Sequence, residues 1–418
     1  MALGDGAVEG LLGWPDSHPI LIGNRAVVSA YPPADSNNPG ERGIYQIWGT
    51  DGTAAGMVQL LTDPHLVPFP PSSSSRWGAI FFAYPADDEQ DLLLGEPVTI
   101  YQTDGTVAGT LPLLELPRGM IPDDPVDIGG HLYFLAYEYD RDGFRLWTSD
   151  GTIKGTAAFF AGTTVGFHPP YFQRFGNSIV FLALGVDGIV GLWRTDGTPE
   201  GTTLVARLAD DELWNGEQRW SFRVVAGKIY FWAPASPDVA GPLHPWVSDG
   251  TAAGTHRLAD VALAEPPYIL AGWGQFAAAG QKVFFAADDG IHGNELWSTD
   301  GTPGGTVLAA DLWPGYLSSD PRELTAIGEE LVLVAQTPLT GAELHVFALC
   351  TGAAQRVADL ASGPSWGEPE NLLWDSNRQI LVFAANNGLH GREPWAWVPS
   401  GDSGPCSSKA PLPAVSVR

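Results

Sequence analysis

Short, almost uninterrupted apolar runs punctuate the chain at residues 26–31, 80–84, 132–137, 179–184, 229–233, 283–287, 331–336 and 380–385. Runs of five or six apolar residues with no polar face predict strands buried on both sides. Each run is flanked by shorter stretches of mixed character, and no segment carries a convincing period of 3.6. One unit shows the pattern clearly, with four strands expected over 323–327, 330–336, 343–349 and 355–360. Gly23, Gly130, Gly176, Gly227, Gly280 and Gly328 stand between the first and second strands of their units, where a tight turn needs positive φ.

The same period is written in a polar motif. Asp-Gly-Thr starts at Asp51, Asp104, Asp150, Asp196, Asp249 and Asp300, with Gly three residues after each Thr and, in five copies, a second Thr after that Gly. The first copy departs, having Met57 after Gly56. Three residues before each Asp stands an aromatic: Trp48, Tyr101, Trp147, Trp193, Trp246 and Trp297. Two further units keep the surrounding pattern but not the triplet, at Glu343-Leu344-His345 and Glu393-Pro394-Trp395. That makes eight units of roughly 50 residues, the repeat length of propeller blades.

A four-stranded meander of this size cannot cover its own edges, and radial repetition solves that problem. The expected fold is all-β: a single eight-bladed β-propeller of four-stranded blades over residues 1–400, followed by a tail over 401–418. Seven blades is the second choice. The segment from Val8 to Trp14-Pro15 matches that from Val307 to Trp313-Pro314. The N-terminal strand is therefore expected to complete the last blade and close the fold.

These units resemble the ELWxxDGT repeat family, bacterial propeller-like repeats, most closely at Glu295-Leu-Trp-Ser-Thr-Asp-Gly-Thr302. The resemblance covers nearly the whole chain and implies a secreted or surface-exposed β-propeller. It brings no catalytic motif with it.

Charge narrows the partners. Lys and Arg number 21 against 48 Asp and Glu, a formal charge of −27, which argues against nucleic acid and anionic bilayers. No apolar stretch reaches the ~20 residues of a membrane span. The first residues lack the basic and apolar regions of a signal peptide, so the expectation is either a cytoplasmic protein or an extracellular, cell-surface or periplasmic one whose signal has been trimmed. Cys350 and Cys406 are too few for a thiolate metal site; as a pair they would tack down the tail and indicate an oxidising compartment.

The Asp-Gly-Thr loops read first as hairpins in which Asp and Thr bond the loop's own amides. Calcium is the minor reading, since one carboxylate per loop falls short of a calcium loop. The preceding aromatic reads as packing between blades, and the recurrent His292 and His390 as structural. Function is expected where units differ, on the long connections from fourth to first strand and from second to third. These carry Trp14, Trp214, Trp220, Trp273 and Trp313, many acids, and His18, His65, His168 and His244. First strands add Arg174, Arg223, Arg322 and Glu323 near the channel mouth. Aromatic platforms among carboxylates suit a glycan, a cationic ligand or a protein partner. The four histidines are the metal-ligand candidates, for calcium or a transition metal with the carboxylates. A non-catalytic, monomeric binding propeller is the leading expectation, with no H-E-x-x-H or P-loop in the chain. The alternative is a metal-dependent hydrolase, lyase or cyclase at the channel mouth, because residues converging from different blades leave no linear signature.

Overall fold

A computed structural model of the 418-residue chain describes residues 20–30, 46–63, 66–68, 72–73, 76–85, 97–138, 143–160, 163–164, 172–185, 187–210, 222–238, 241–264, 274–337, 340–357, 360, 367–376, 378–386 and 392–399. These residues form eight successive antiparallel sheets, the blades of an eight-bladed β-propeller, with single 3-10 turns as the only helical elements among the described residues. The chain divides into two compact units, Met1–Arg207 and Leu208–Arg418, each with four blades.

Blade 6 serves as the pattern. Ala277–Ala279, Lys282–Asp288, Asn294–Thr299 and Val307–Ala310 pair in chain order. Blade 7 repeats it with Arg322–Ile327, Glu330–Thr337, Gly341–Ala348 and Ala353–Arg356. Its last strand begins two residues earlier than the sequence pattern suggests and stops before the apolar Val357. That residue still donates its amide to Leu344 O at 2.8 Å, so the ladder outlasts the regular strand. Blade 8 shows three strands, Glu370–Asp375, Ile380–Asn386 and Arg392–Trp397. The N-terminal segment expected as its fourth strand lies outside the described residues.

The apolar runs are continuous because each second strand serves two interfaces. Phe81 of blade 2 (residues 66–115) joins Val27 and Ile47 of blade 1 (20–59), whereas its neighbours Ile80 and Phe82 join Leu132 and Phe134 of blade 3 (120–160). In the second unit Phe285 packs with Tyr230, Trp232 and Phe276 on the side of blade 5 (residues 222–257). Phe284 turns to Leu331, Leu333 and Phe347 of blade 7. Alternate residues therefore face different neighbours, and every position is apolar. A fully buried Phe contributes roughly 1.5–3 kcal/mol, so the stack is dominated by these inter-blade seams.

The motif aromatic belongs to the same seams. Tyr101, Trp147, Trp193 and Trp395 pack against clusters shared by adjacent blades, and Trp297 is a member of one. In blades 2, 3 and 6 the register slips at this residue, between Ile100 and Tyr101, Leu146 and Trp147, Leu296 and Trp297. A bulge turns the large ring out of the pleat toward the neighbour.

Each Asp-Gly-Thr closes the hairpin between third and fourth strands by the same bonds. In blade 6 Asp300 Oδ1 accepts from Thr302 N at 2.9 Å and Thr302 Oγ1 at 2.7 Å, and Thr302 Oγ1 accepts from Gly305 N at 3.0 Å. The residue before the motif, Thr299, receives Gly301 N at 3.0 Å and shares a proton with Thr306 Oγ1 at 2.8 Å. Blade 1 has the same Asp51 and Thr53 bonds, and its Met57 stands where the other five copies have the closing hydroxyl. Bonds from the Thr two residues on hold all six Asp carboxyls below their ordinary range.

Candidate functional site

The best-defined part of the long-loop side lies within the second unit, at blades 6, 7 and 8. It starts from Glu295, the Glu of the Glu-Leu-Trp motif. Glu295 is fully buried and faces the connection from blade 6 to blade 7. Its Oε2 accepts Leu312 N at 2.8 Å and Ser319 Oγ at 2.6 Å, and its Oε1 accepts Ser319 N at 3.0 Å and Trp313 N at 3.3 Å. Burial pushes this carboxyl up to about 7, against the pull of those four donors. One side chain thus shapes an eleven-residue connection, 311–321.

Other blades use the same position for the same purpose. Glu343 Oε2 accepts Leu360 N at 3.0 Å in blade 7. Blade 5 has His244 there, buried, with Nδ1 2.9 Å from Val261 O. A carbonyl only accepts, so Nδ1 carries the proton. The clamp is retained with its polarity reversed.

The connection held by Glu295 leads into a polar cluster. Asp320 Oδ1 accepts Asn294 Nδ2 at 3.1 Å, and its Oδ2 accepts Gln336 Nε2 at 2.5 Å. Burial raises the Asp320 carboxyl. Arg322 is buried, 3% exposed, with Glu370, Asp320, Glu323 and Glu368 around its charge; desolvation lowers its pKa and the four carboxylates oppose that shift. Pairing among carboxylates is what makes a buried guanidinium tolerable.

Glu323 has left-handed backbone, φ 57°, where the register shifts between Arg322 and Thr325. The bulge aims its carboxylate at blade 8, where Oε2 accepts Leu372 N at 3.0 Å. Gln275 makes the corresponding reach from blade 6, accepting Leu324 N at 3.0 Å and donating to Leu324 O at 3.2 Å. Asn371 is the blade 8 counterpart, with φ 58° at an equivalent shift, and its buried Oδ1 has no donor among the described residues.

Three candidates therefore come together here: Trp313, half-buried and tied to Glu295 through its amide, with Arg322 and Glu323. The others stand apart. Arg174 is exposed on a first strand of the first unit and bonds Gly176 O at 3.1 Å. Arg223 is exposed on the first strand of blade 5. Trp14, Trp214, Trp220, Trp273, His18, His65, His168 and His390 lie outside the described residues. Among the described residues no three His, Cys, Asp or Glu side chains converge as metal ligands. His292 is paired with Asp289 Oδ2 at 2.8 Å, which raises its pKa.

Sequence reasoning missed Glu295 and Glu343 as loop clamps; their recurrence in the motif was the available signal. One serine motif also merits placement, Gly363-Pro364-Ser365-Trp366-Gly367. It matches the G-x-S-x-G spacing, whose chemistry depends on a strand-turn-helix context. The next described element is the strand Glu370–Asp375, and Ser365 lies outside the described residues. Cys350, exposed after the third strand of blade 7, is disulfide-bonded, and Cys406 is the other cysteine of the chain.

No family model matches this chain, and no curated protein does. Solved structures do. Puromycin hydrolase is 15% identical, the match covering 90% of this chain and 59% of that one with a TM-score of 0.45. A puromycin-hydrolyzing peptidase of Mycobacterium tuberculosis is 14% identical, with 88% and 57% covered and a TM-score of 0.44. The chain thus spans less than two thirds of either enzyme. The β-propeller domain of the Trilobed protease from Pyrococcus furiosus is 14% identical, with 82% and 97% covered and a TM-score of 0.41. The likeness to all three is one of fold.

Proposed function

We propose that this chain is a binding propeller of the ELWxxDGT type that holds a ligand or partner on its long-loop side without transforming it. The observation that carries this reading is the use made of the site's carboxylates. Both oxygens of Glu295 accept from the connection they shape, both oxygens of Asp320 accept from Asn294 and Gln336, and Glu323 accepts from blade 8. General acid–base work needs a carboxyl facing the reacting group. These carboxyls face their own scaffold, and their effect is to hold a loop surface in one shape. A preformed surface binds with less ordering cost than a mobile one. The disulfide at Cys350 supports a location outside the reducing cytoplasm.

The test is exposure of the purified protein to arrays of glycans, polyamines and peptides, with recovery of whatever is retained. Recovery of one class chemically unchanged, by mass spectrometry, is the expected result. Recovery of a converted product would overturn the reading in favour of an enzyme.

A further inference from the structure

The exposed apolar side chains of the described residues are mostly solitary. Leu21, Val107, Leu111, Ile153, Leu204, Val307, Val382 and Val398 are spread over several blades and need no special account. Blade 6 differs on its long-loop side. Ile291 is 68% exposed, Tyr316 82% and Leu317 44%, and they come from two turns fastened to each other. Asn294 N donates to Ser318 Oγ at 3.0 Å, and Asp320 N donates to Asn294 O at 3.2 Å. A Cβ on Gly293 would stand 2.6 Å from Leu317 O, so the turns meet backbone to backbone.

Both turns are held by hydrogen bonds. Asp289 Oδ1 accepts Ile291 N at 2.9 Å and His292 N at 2.8 Å, fixing the first. Glu295 fixes the second through Leu312, Trp313 and Ser319. The fold thus presents three apolar side chains to solvent on a framework that holds them there. The nearby charge is mostly negative: Asp288, Asp289 and Asp311 are half-buried on this blade, Arg322 is buried, His292 is paired with Asp289, and the whole chain carries a formal charge of −27.

We infer that the two joined turns of blade 6, carrying Ile291, Tyr316 and Leu317, dock a protein segment in which apolar side chains stand beside Lys or Arg. Apolar contact supplies the affinity, Tyr being a frequent anchor of such interfaces, and the acidic surroundings favour a cationic partner and speed its approach. Two of the three exposed groups are aliphatic, which suits a peptide side chain better than a sugar ring. The inference rests on the binding reading above and names the partner class for one part of that face.

The experiment uses the whole chain and three sets of synthetic 12-residue peptides matched in apolar content, rich in Lys and Arg, uncharged, or rich in Asp and Glu. Retention of the cationic set, at least tenfold over the acidic set in low salt, is expected. Tyr316→Ser with Leu317→Ser should reduce it at least tenfold with the melting temperature unchanged, and Val107→Ser with Ile153→Ser should leave it intact. Cationic retention indifferent to the Tyr316/Leu317 pair overturns the inference and leaves a binding propeller standing. Equal retention of all three sets, or retention of glycans alone, does the same. Recovery of cleaved peptide overturns the binding reading itself.

Discussion

Gly305 lacks a side chain because the Asp300 carboxylate occupies the space a Cβ would need. Gly56, Gly109, Gly155, Gly201 and Gly254 meet their own Asp in the same way. Gly305→Ala should push Asp300 off Thr302 and cost about 1–2 kcal/mol, read by chemical denaturation. The Asp300 titration, followed by NMR, should then move up toward 3.8 from its lowered native position. Glu295 predicts the opposite pH trend. Its folded pKa of about 7 lies above the 4.5 of a free Glu, so the folded state binds more protons between those values. Its contribution is complete below pH 4.5 and is lost as pH rises through 7. The six motif Asp residues have depressed pKa values, and stability from them is lost as pH falls below 3.8. In Glu295→Gln the slope between pH 4.5 and 7 should flatten relative to the parent. The amide nitrogen would also face backbone N–H donors, a mismatch worth about 1–3 kcal/mol.

At the scale of the element, the strands were readable because burial on two faces leaves an apolar mark at every position, as in residues 283–287. The motif hairpins were readable because Gly, Asp and Thr are required there by φ and by hydrogen bonding. The clamps were not. Glu295 meets partners 17 to 24 residues away on an irregular connection, and no spacing rule links them. The bulges were hidden too, since Glu323 and Asn371 take left-handed backbone that a sequence would assign to Gly. Of the candidate site, Arg322 and Glu323 were legible as unlike residues at corresponding first-strand positions, and Trp313 as an aromatic on a long connection. That Arg322 is buried among acids was not, since neither its exposure nor its neighbours leave a linear trace. Arg322→Met should destabilise the second unit by about 3–5 kcal/mol through the carboxylates it leaves unbalanced, measured by thermal or urea unfolding.

For the whole molecule the controlling quantity is a formal charge of −27. Self-repulsion weakens the compact state, and salt screens it. The melting temperature should therefore rise by several degrees between about 10 mM and 500 mM NaCl, with circular dichroism at 25 °C unchanged. A charge count alone foretells this trend, whatever the blades do.

The forward reach of Gln275 to Leu324 and of Glu323 to Leu372 bears on how such a chain can lengthen. A spare repeat spliced in behind blade 7 would still be met by Glu323, because the acceptor grips a main-chain amide and ignores which side chain that amide's residue carries. Behind blade 8 the newcomer would meet Asn371, one methylene shorter, its oxygen buried without a donor among the described residues. A repeat added behind blade 7 would thus be gripped as blade 8 is, whereas the shorter Asn371 makes no such bond among the described residues.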